Sequence, residues 1–156
     1  MIKPKTLILG TIFCLILWFV FPLFFVLIGD YLNLEVINNF YIKIVGLVLM
    51  IVALFVFLYL LVIFKIYGKG TPVPIEPPKE LVIKGLFKYT RNPFYLCHFI
   101  MITGQFLLFG KILLLVYLML LIIIFNIYVI KQEESQLKKR YGDKYLKYIK
   151  TVPRWF

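Results

Sequence analysis

One polar stretch decides the fold: Gly68–Tyr95, which reads GKGTPVPIEPPKELVIKGLFKYTRNPFY. It is the only long polar insert in the chain, and it contains five of the eight prolines. Residues that precede proline avoid the α region, so the first half of the insert favours extended or polyproline geometry. A hydrophobic segment ends just before the insert and another begins just after it. We expect the insert either to cover a site as a lid or wall, or to serve as a plain linker.

The composition indicates a protein whose solvent is lipid. The chain has 156 residues, enough for one domain, and 63% of them are hydrophobic, with a mean hydropathy of +0.96. A water-soluble fold could not bury that much apolar surface. The net charge is +11, but the basic residues lie at the ends of hydrophobic segments, where they meet anionic headgroups. This placement argues against a nucleic-acid partner.

Four stretches lack charged residues over the length that a bilayer core requires, which is about 20 helical residues. We therefore predict an all-α integral membrane protein, a single domain with about four transmembrane helices. The predicted helices cover 7–29, 44–64, 93–110 and 112–130, a proline-rich insert covers 65–92, and a C-terminal amphipathic helix covers 131–150. The third helix is the most polar of the four, so whether it crosses the membrane completely is left open.

The distribution of lysine and arginine predicts the orientation. The insert from Lys65 to Arg91 has six basic residues and the tail from Lys131 onward has eight, whereas the connections at 30–43 and 110–111 have one each. Basic loops stay on the cytoplasmic side of a membrane. We therefore expect both termini, the insert and the tail to be cytoplasmic, with the helices in the cell membrane.

The residues Arg91-Asn92-Pro93 predict the start of the third helix, because Asn is a good N-cap and Pro is favoured at the first helical position. The free N–H groups of that helix start, together with the Arg91 guanidinium, form a site for a carboxylate or a phosphate. The alternative is an arginine at the membrane border that only reaches lipid headgroups.

Two adjacent carboxylates, Glu133 and Glu134, follow the fourth helix. The short connection at 110–111 makes the third and fourth helices neighbours, so these carboxylates are expected near Arg91. An arginine and an acidic pair at one membrane rim could bind a zwitterionic ligand. They could equally pair with lysines of the tail, as Glu134 would with Lys138 one helical turn away.

The remaining polar side chains within apolar runs do not predict a metal or nucleotide site. Cys14 and Cys97 are two thiols in apolar surroundings, which make neither a disulfide framework nor a metal cluster. His98 is adjacent to Cys97, and neighbours on a helix point about 100° apart, so a shared metal ion is not expected. The chain has no Gly-x-Gly-x-x-Gly and no phosphate-loop motif, which excludes a Rossmann-type site.

Two blocks of residues carry a family pattern. The first runs from Gly70 to Tyr95 as GTP-x-P, PP, LV, G-x-F and R-N-P-x-Y. The second runs from Glu133 to Arg154 as EE-x-x-L-x-x-x-Y-G-x-x-Y-x-x-Y-x-x-x-VPR. Together, and in this order, they resemble the isoprenylcysteine carboxyl methyltransferase family, integral-membrane enzymes related to phospholipid methyltransferases. One departure is Cys97, which stands where many relatives have glycine.

The resemblance implies S-adenosylmethionine as cofactor, bound without a Rossmann domain beneath the insert and against the C-terminal helix. It implies apolar pocket walls and polar groups that hold the cofactor, with Arg91 and Glu134 as the catalytic candidates. The implied cofactor-binding residues are Leu81, Val82, Gly85, Phe87, Arg91, Asn92, Tyr95, Glu133, Glu134, Tyr145 and Tyr148.

The expected reaction is methyl transfer to a lipophilic acceptor that enters from the membrane, such as a prenylated or small isoprenoid substrate. A carboxylate of an isoprenylcysteine-like substrate is the acceptor that the resemblance favours. Two alternatives stay open. One is a phospholipid amine as acceptor, and the other is a non-catalytic membrane protein whose basic tail binds lipid.

Overall fold

The computed structural model of the protein describes residues 4–72 and 77–155. These residues are helical and contain no β-strand, which confirms the predicted all-α class. We number the helices α1 to α5. They cover 4–31 (α1), Phe40–Gly68 (α2), Pro93–Phe109 (α3), Ile112–Tyr141 (α4) and Asp143–Thr151 (α5), with a 3₁₀ turn at Gly85–Lys88.

Three stretches of helix are long and apolar enough to cross a membrane: Ile8–Tyr31, Phe40–Gly68 and Ile112–Tyr141. The helix α3 is shorter, with 17 residues. At a rise of 1.5 Å per residue it is about 26 Å long, slightly less than a hydrocarbon core of about 30 Å. The fourth transmembrane span therefore stays a prediction.

The sequence predicts a tail helix at 131–150, with Gly142 as a candidate break between two helices, and the structure differs in how that helix begins. The helix α4 continues without a break from Ile112 to Tyr141, passing through a π-helical turn at Val129–Glu133. No glycine or proline occurs between these ends, so nothing in the sequence interrupts the helix. The break comes at Gly142, whose φ of 51° and ψ of −128° suit glycine and few other residues. The last helix, α5, starts after it.

The chain divides into two compact units, which we describe separately. The hairpin unit comprises Thr11–Val56 and Cys97–Ile124, and the tail unit comprises the residues up to 10, 57–96 and those from 125 onward. In the hairpin unit, α2 and α3 approach closely at two glycines. A methyl group added to Gly46 would lie 2.6 Å from the Gly104 carbonyl oxygen, so neither position tolerates a side chain without a shift of backbone.

The short connection between α3 and α4 is held by ion pairs and by backbone hydrogen bonds. Lys111 Nζ lies 2.6 Å from Asp30 Oδ1 and 3.2 Å from Glu35 Oε2. The Val36 N–H donates to the Gly110 carbonyl at 2.8 Å. Gly110 has a φ of 69°, and a side chain there would collide with the Ile37 carbonyl. These contacts hold the segment after α1 against the connection.

Proline at position 22 reorganises the hydrogen bonds of α1. The turn Ile16–Val20 is π-helical, and the Phe21 N–H donates to the Ile16 carbonyl rather than to the Leu17 carbonyl. Pro22 has no N–H to donate to the Trp18 carbonyl. Both buried carbonyls accept side-chain donors instead. Tyr117 Oη donates to Leu17 O at 2.9 Å, and Gln105 Nε2 donates to Trp18 O at 2.6 Å. This arrangement supplies hydrogen bonds to the two backbone carbonyls that Pro22 would otherwise leave unpaired.

Replacing Tyr117 by phenylalanine tests this account. The change Tyr117→Phe keeps the ring but removes the donor to Leu17 O, so we expect the free energy of unfolding to fall by about 1 kcal/mol. In a Pro22→Ala background, Tyr117→Phe should lower the free energy of unfolding by less, because the N–H of the new alanine can donate to a freed carbonyl of the same turn. Thermal or denaturant unfolding in detergent measures both. The exposed Tyr41→Phe serves as control, and equal losses with and without Pro22 would contradict the account.

Candidate active site

In the tail unit, the insert is fastened to the C-terminal helices through backbone carbonyls. The N–H groups of Lys79 and Glu80 donate to Gly68 O at 2.8 and 3.2 Å, which turns the chain back onto the end of α2. Tyr148 Oη donates to Phe87 O at 2.6 Å. Burial raises the pKa of the Tyr148 hydroxyl, so it stays protonated and remains a donor at neutral pH.

A second tyrosine makes a similar contact further out. Tyr141, the last residue of α4, donates its hydroxyl to Pro78 O at 2.5 Å. The side chains of Tyr145, Tyr148 and Val152 form the buried core of this region, and Leu81 of the insert packs against it. The insert is therefore a wall packed on the tail.

The two sequence blocks meet directly at the start of α3. The Arg91 N–H donates to Pro153 O at 3.1 Å. Thr90 Oγ1 and Asn92 Nδ2 both donate to Arg154 O, at 3.1 and 2.9 Å. The side-chain amide of Asn92 is thus hydrogen-bonded to the last segment of the chain, and the R-N-P motif packs on the backbone of the V-P-R motif.

Glu134 lies between two arginines. Its Oε1 is 3.1 Å from Arg91 Nη1 and 2.8 Å from Arg154 Nε, and its Oε2 is 3.2 Å from Arg154 Nη2. The Glu134 and Arg91 side chains are only 14% and 12% exposed, so water screens this pair weakly. The bond to Glu134 raises the pKa of Arg154. Two guanidinium groups therefore share one carboxylate that has little contact with solvent.

Glu133, the neighbouring carboxylate, has a different environment. Its Oε2 accepts a hydrogen bond of 2.7 Å from Tyr95 Oη, in the first turn of α3. The Tyr95 ring packs on Phe125, with ring centroids 4.7 Å apart. Among residues 4–72 and 77–155, no basic side chain forms an ion pair with Glu133. Burial raises the pKa of the Glu133 carboxyl group, so a cation placed next to it would favour its charged form.

A cavity of about 60 Å³ lies at the centre of these contacts. Its walls are apolar on the side of the insert and α2, and polar at Arg91, Glu133 and Glu134. The residues that line it are Phe64, Pro78, Leu81, Val82, Phe87, Arg91, Asn92, Val129, Glu133, Glu134, Leu137, Tyr141, Tyr145 and Tyr148. Arg91 Nε is buried here and has no hydrogen-bond partner within the described residues. A buried donor of this kind marks a place for an acceptor group.

The structure gathers nine of the eleven predicted cofactor-binding residues around this cavity, including both catalytic candidates, Arg91 and Glu134. The two exceptions are Gly85 and Tyr95. Gly85 has a φ of 57°, and a methyl group there would lie 2.6 Å from the Tyr59 hydroxyl, so the position favours glycine, and its role at the cofactor stays a prediction. Tyr95 stands behind the lining and reaches the cavity only through Glu133.

Several lining residues are absent from the predicted set. Leu137 and Tyr141 belong to the quoted second block and could have been included on that ground. Phe64 and Val129 lie in long apolar helices, where their neighbours are equally hydrophobic, so the sequence contains no signal for them. The described residues contain no group of three or more His, Cys, Asp or Glu side chains that could hold a metal ion.

Comparison with known proteins gives one match. A family model described as phospholipid methyltransferase matches residues 41–144, two thirds of the chain. The matched region contains the insert, α3, α4 and both glutamates. No curated protein and no solved structure matches the chain.

The two glutamates should differ sharply when each is neutralised. We expect Glu134→Gln to lower the free energy of unfolding by about 2 kcal/mol, because it leaves Arg91 and Arg154 facing each other without a carboxylate. Glu133→Gln should change it by less than about 0.5 kcal/mol, since the amide oxygen still accepts from Tyr95. Unfolding in detergent, followed by circular dichroism, measures both. Equal losses in the two variants would contradict the distinction.

Proposed function

Because the chain belongs to the phospholipid methyltransferase family, we propose that it transfers a methyl group from S-adenosylmethionine to a lipophilic acceptor in the membrane. That family of integral-membrane methyltransferases includes the isoprenylcysteine carboxyl methyltransferases, so the predicted family resemblance is confirmed. The family and the three long apolar helices make the protein an integral membrane methyltransferase. The cofactor, the acceptor and the site residues are the parts that we propose.

The proposal rests on a single observation: some charged groups in the cavity are already paired with an opposite charge, and others are not. Glu134 is engaged by two arginines, whereas within the described residues Arg91 Nε has no hydrogen-bond partner and the Glu133 carboxylate has no basic partner, only the Tyr95 hydroxyl. An unused donor and a carboxylate without a basic partner, both lining one cavity, suit a zwitterion with a carboxylate and cationic groups. The amino-acid part of S-adenosylmethionine is such a group.

The apolar side of the cavity suits the rest of the cofactor. Leu81, Val82 and Phe87 of the insert, together with Phe64 of α2, present hydrophobic surface against which a planar base can pack. The residues present therefore fit the group in chemistry. At about 60 Å³ the cavity is well below the roughly 300–1,000 Å³ of ligand pockets, so binding requires the walls to separate.

We assign separate roles to the charged residues. Arg91 binds the cofactor carboxylate through Nε, while its Nη1 stays on Glu134 and on Tyr145 Oη, 3.3 Å away. Glu134 orients Arg91, and Glu133 faces the cationic part of the cofactor. Burial raises the pKa of Tyr145, so its hydroxyl stays neutral beside the arginine. Asn92 holds the start of α3 in place through Arg154 O.

The chemistry that the bound cofactor supplies is an electrophilic methyl group. The chain's part is to align an acceptor in line with that group and to exclude water, which contributes several kcal/mol. A carboxylate acceptor is ionised at neutral pH and requires no base. An isoprenylcysteine-like carboxylate is therefore the acceptor we propose, brought by a prenylated or small lipophilic substrate from the surrounding membrane lipid.

A phospholipid amine is the second candidate acceptor, and one observation favours it. An amine must lose a proton before or during methyl transfer, and Glu133 is a carboxylate without a basic partner among the described residues. It could accept that proton. We further propose that the protein lies in the cell membrane with both termini cytoplasmic, which the six basic residues of the insert and the eight of the tail support.

Cofactor binding can be measured directly with S-adenosylhomocysteine and detergent-purified protein by calorimetry. We expect saturable binding that weakens at least about tenfold in Arg91→Gln and in Glu133→Gln, because each removes a charged hydrogen-bonding group. The exposed Lys139→Gln should bind like the unchanged protein. Folded protein without binding would favour the non-catalytic alternative, and full binding by Glu133→Gln would refute the role of Glu133.

The pH dependence of turnover separates the two acceptors. A carboxylate with a pKa of about 3.5–4 is ionised throughout pH 6–8, so the rate should be flat there. An amine is mostly protonated below its pKa, so its rate should rise up to about tenfold per pH unit until that pKa is reached. Initial rates of methyl transfer to an isoprenylcysteine analogue and to phosphatidylethanolamine, each from pH 6 to 8.5, provide the test. A flat profile with the isoprenylcysteine analogue alone active would support the carboxylate.

A further inference from the structure

A second and larger hollow lies on the outside of the tail unit. It is an open groove of about 400 Å³ between the insert and α5. The residues that line it are Glu80, Leu81, Ile83, Lys144, Lys147, Tyr148 and Thr151. Neither the methyl-transfer chemistry nor the family pattern uses its charged residues.

The groove combines an apolar floor with a basic rim. Leu81 and Ile83 form the floor, and Ile83 is 39% exposed. Lys144 and Lys147 are three residues apart on α5, so their side chains lie on the same side of the helix. Both lysines are exposed, whereas Tyr145 and Tyr148, on the adjoining face of α5, are buried. The two ammonium groups are therefore available to a ligand.

We infer that this groove binds the phosphate of an anionic membrane phospholipid, with the lipid's glycerol and first acyl carbons on Leu81 and Ile83. Charge complementarity carries the assignment, because the rim has two lysines against one carboxylate, Glu80. A free phosphate ion would not use an apolar floor. An anionic lipid uses both the floor and the rim, and α5 follows directly on a membrane-crossing length of helix.

The groove adjoins the cavity of the candidate active site. Leu81 and Tyr148 line both hollows, so one layer of side chains separates them. A lipid that packs on Leu81 would contact the same wall of the insert that must move when the cavity widens, and would therefore affect that movement. This consequence rests on the proposed function, whereas lipid binding itself does not.

The test uses the full chain in detergent, titrated with short-chain phosphatidylglycerol and followed by native mass spectrometry. We expect one lipid to be retained preferentially, and the double variant Lys144→Gln/Lys147→Gln to weaken its apparent affinity by about tenfold or more. The matched control is Lys139→Gln/Lys150→Gln, which removes the same charge from exposed positions outside the groove. The control should lose no more than about threefold.

Two further arms define the ligand. Phosphatidylcholine should bind at least about tenfold more weakly than phosphatidylglycerol, and inorganic phosphate at the same concentration should not displace the lipid. Glu80→Gln should tighten binding, since it removes the one carboxylate of the rim. Equal losses in the two double variants, or equal retention of phosphatidylcholine, would overturn the inference and leave only a diffuse basic surface.

The failure of this inference can be told apart from failure of the proposed function. The groove variant should bind S-adenosylhomocysteine as the unchanged protein does when no phosphatidylglycerol is present, because neither lysine lines the cavity. Loss of lipid retention with intact cofactor binding would support the groove. Intact lipid retention without any cofactor binding would leave the groove in place and refute the methyltransferase site.

Discussion

The tail unit depends on one carboxylate shared by two arginines. Arg91 precedes α3, Glu134 lies in α4 and Arg154 follows α5, so their contacts join three parts of the chain that are far apart in sequence. Removing the carboxylate would leave two guanidinium groups together with little water to separate them, a costly arrangement. In the same arrangement Arg91 N, Thr90 Oγ1 and Asn92 Nδ2 donate to the backbone carbonyls of Pro153 and Arg154. The ion pairs of Glu134 thus set the positions of these segments, and the neutral hydrogen bonds add to them.

The adjacent glutamates show how one helix can place like residues in unlike environments. Consecutive residues on a helix point about 100° apart. Glu134 therefore faces the arginines, while Glu133 faces Tyr95. Two carboxylates in the same environment would repel each other and compete for the same cations. The separation gives Glu134 two basic partners and leaves Glu133 with none among the described residues.

Much of the fold follows from composition, because a chain with this hydropathy has few options other than membrane helices. The lengths of the charge-free runs located the four apolar helices, and the R-N-P and V-P-R motifs indicated which residues meet. The π-helical turn at Ile16–Val20 could not be predicted, since its carbonyls pair with Gln105 and Tyr117, which lie 87 and 100 residues away in sequence. The extension of α4 to Tyr141 could have been predicted from the sequence, because no helix-breaking residue occurs in α4 before Gly142.

The candidate site was predictable only where polar residues stand out from an apolar background. Arg91, Glu133 and Glu134 do so, whereas Phe64 and Val129 line the cavity from positions that look like any other in their helices. Gly85 has a packing reason to be glycine, because its φ is positive and a side chain there would meet Tyr59, so its role at the cofactor stays a prediction. A motif residue can serve packing as well as chemistry, and sequence alone does not separate the two.

The contacts that close the cavity differ in strength, and this difference determines where it can open. The hydroxyls of Tyr141 and Tyr148 reach backbone carbonyls of the insert through neutral hydrogen bonds, each with a net contribution of about 1 kcal/mol. Breaking them leaves groups that water can satisfy. Separating Glu134 from its arginines would instead expose unpaired charge in a poorly solvated place. Separating the insert from the tail at these two tyrosines therefore costs less free energy than separating Glu134 from its arginines.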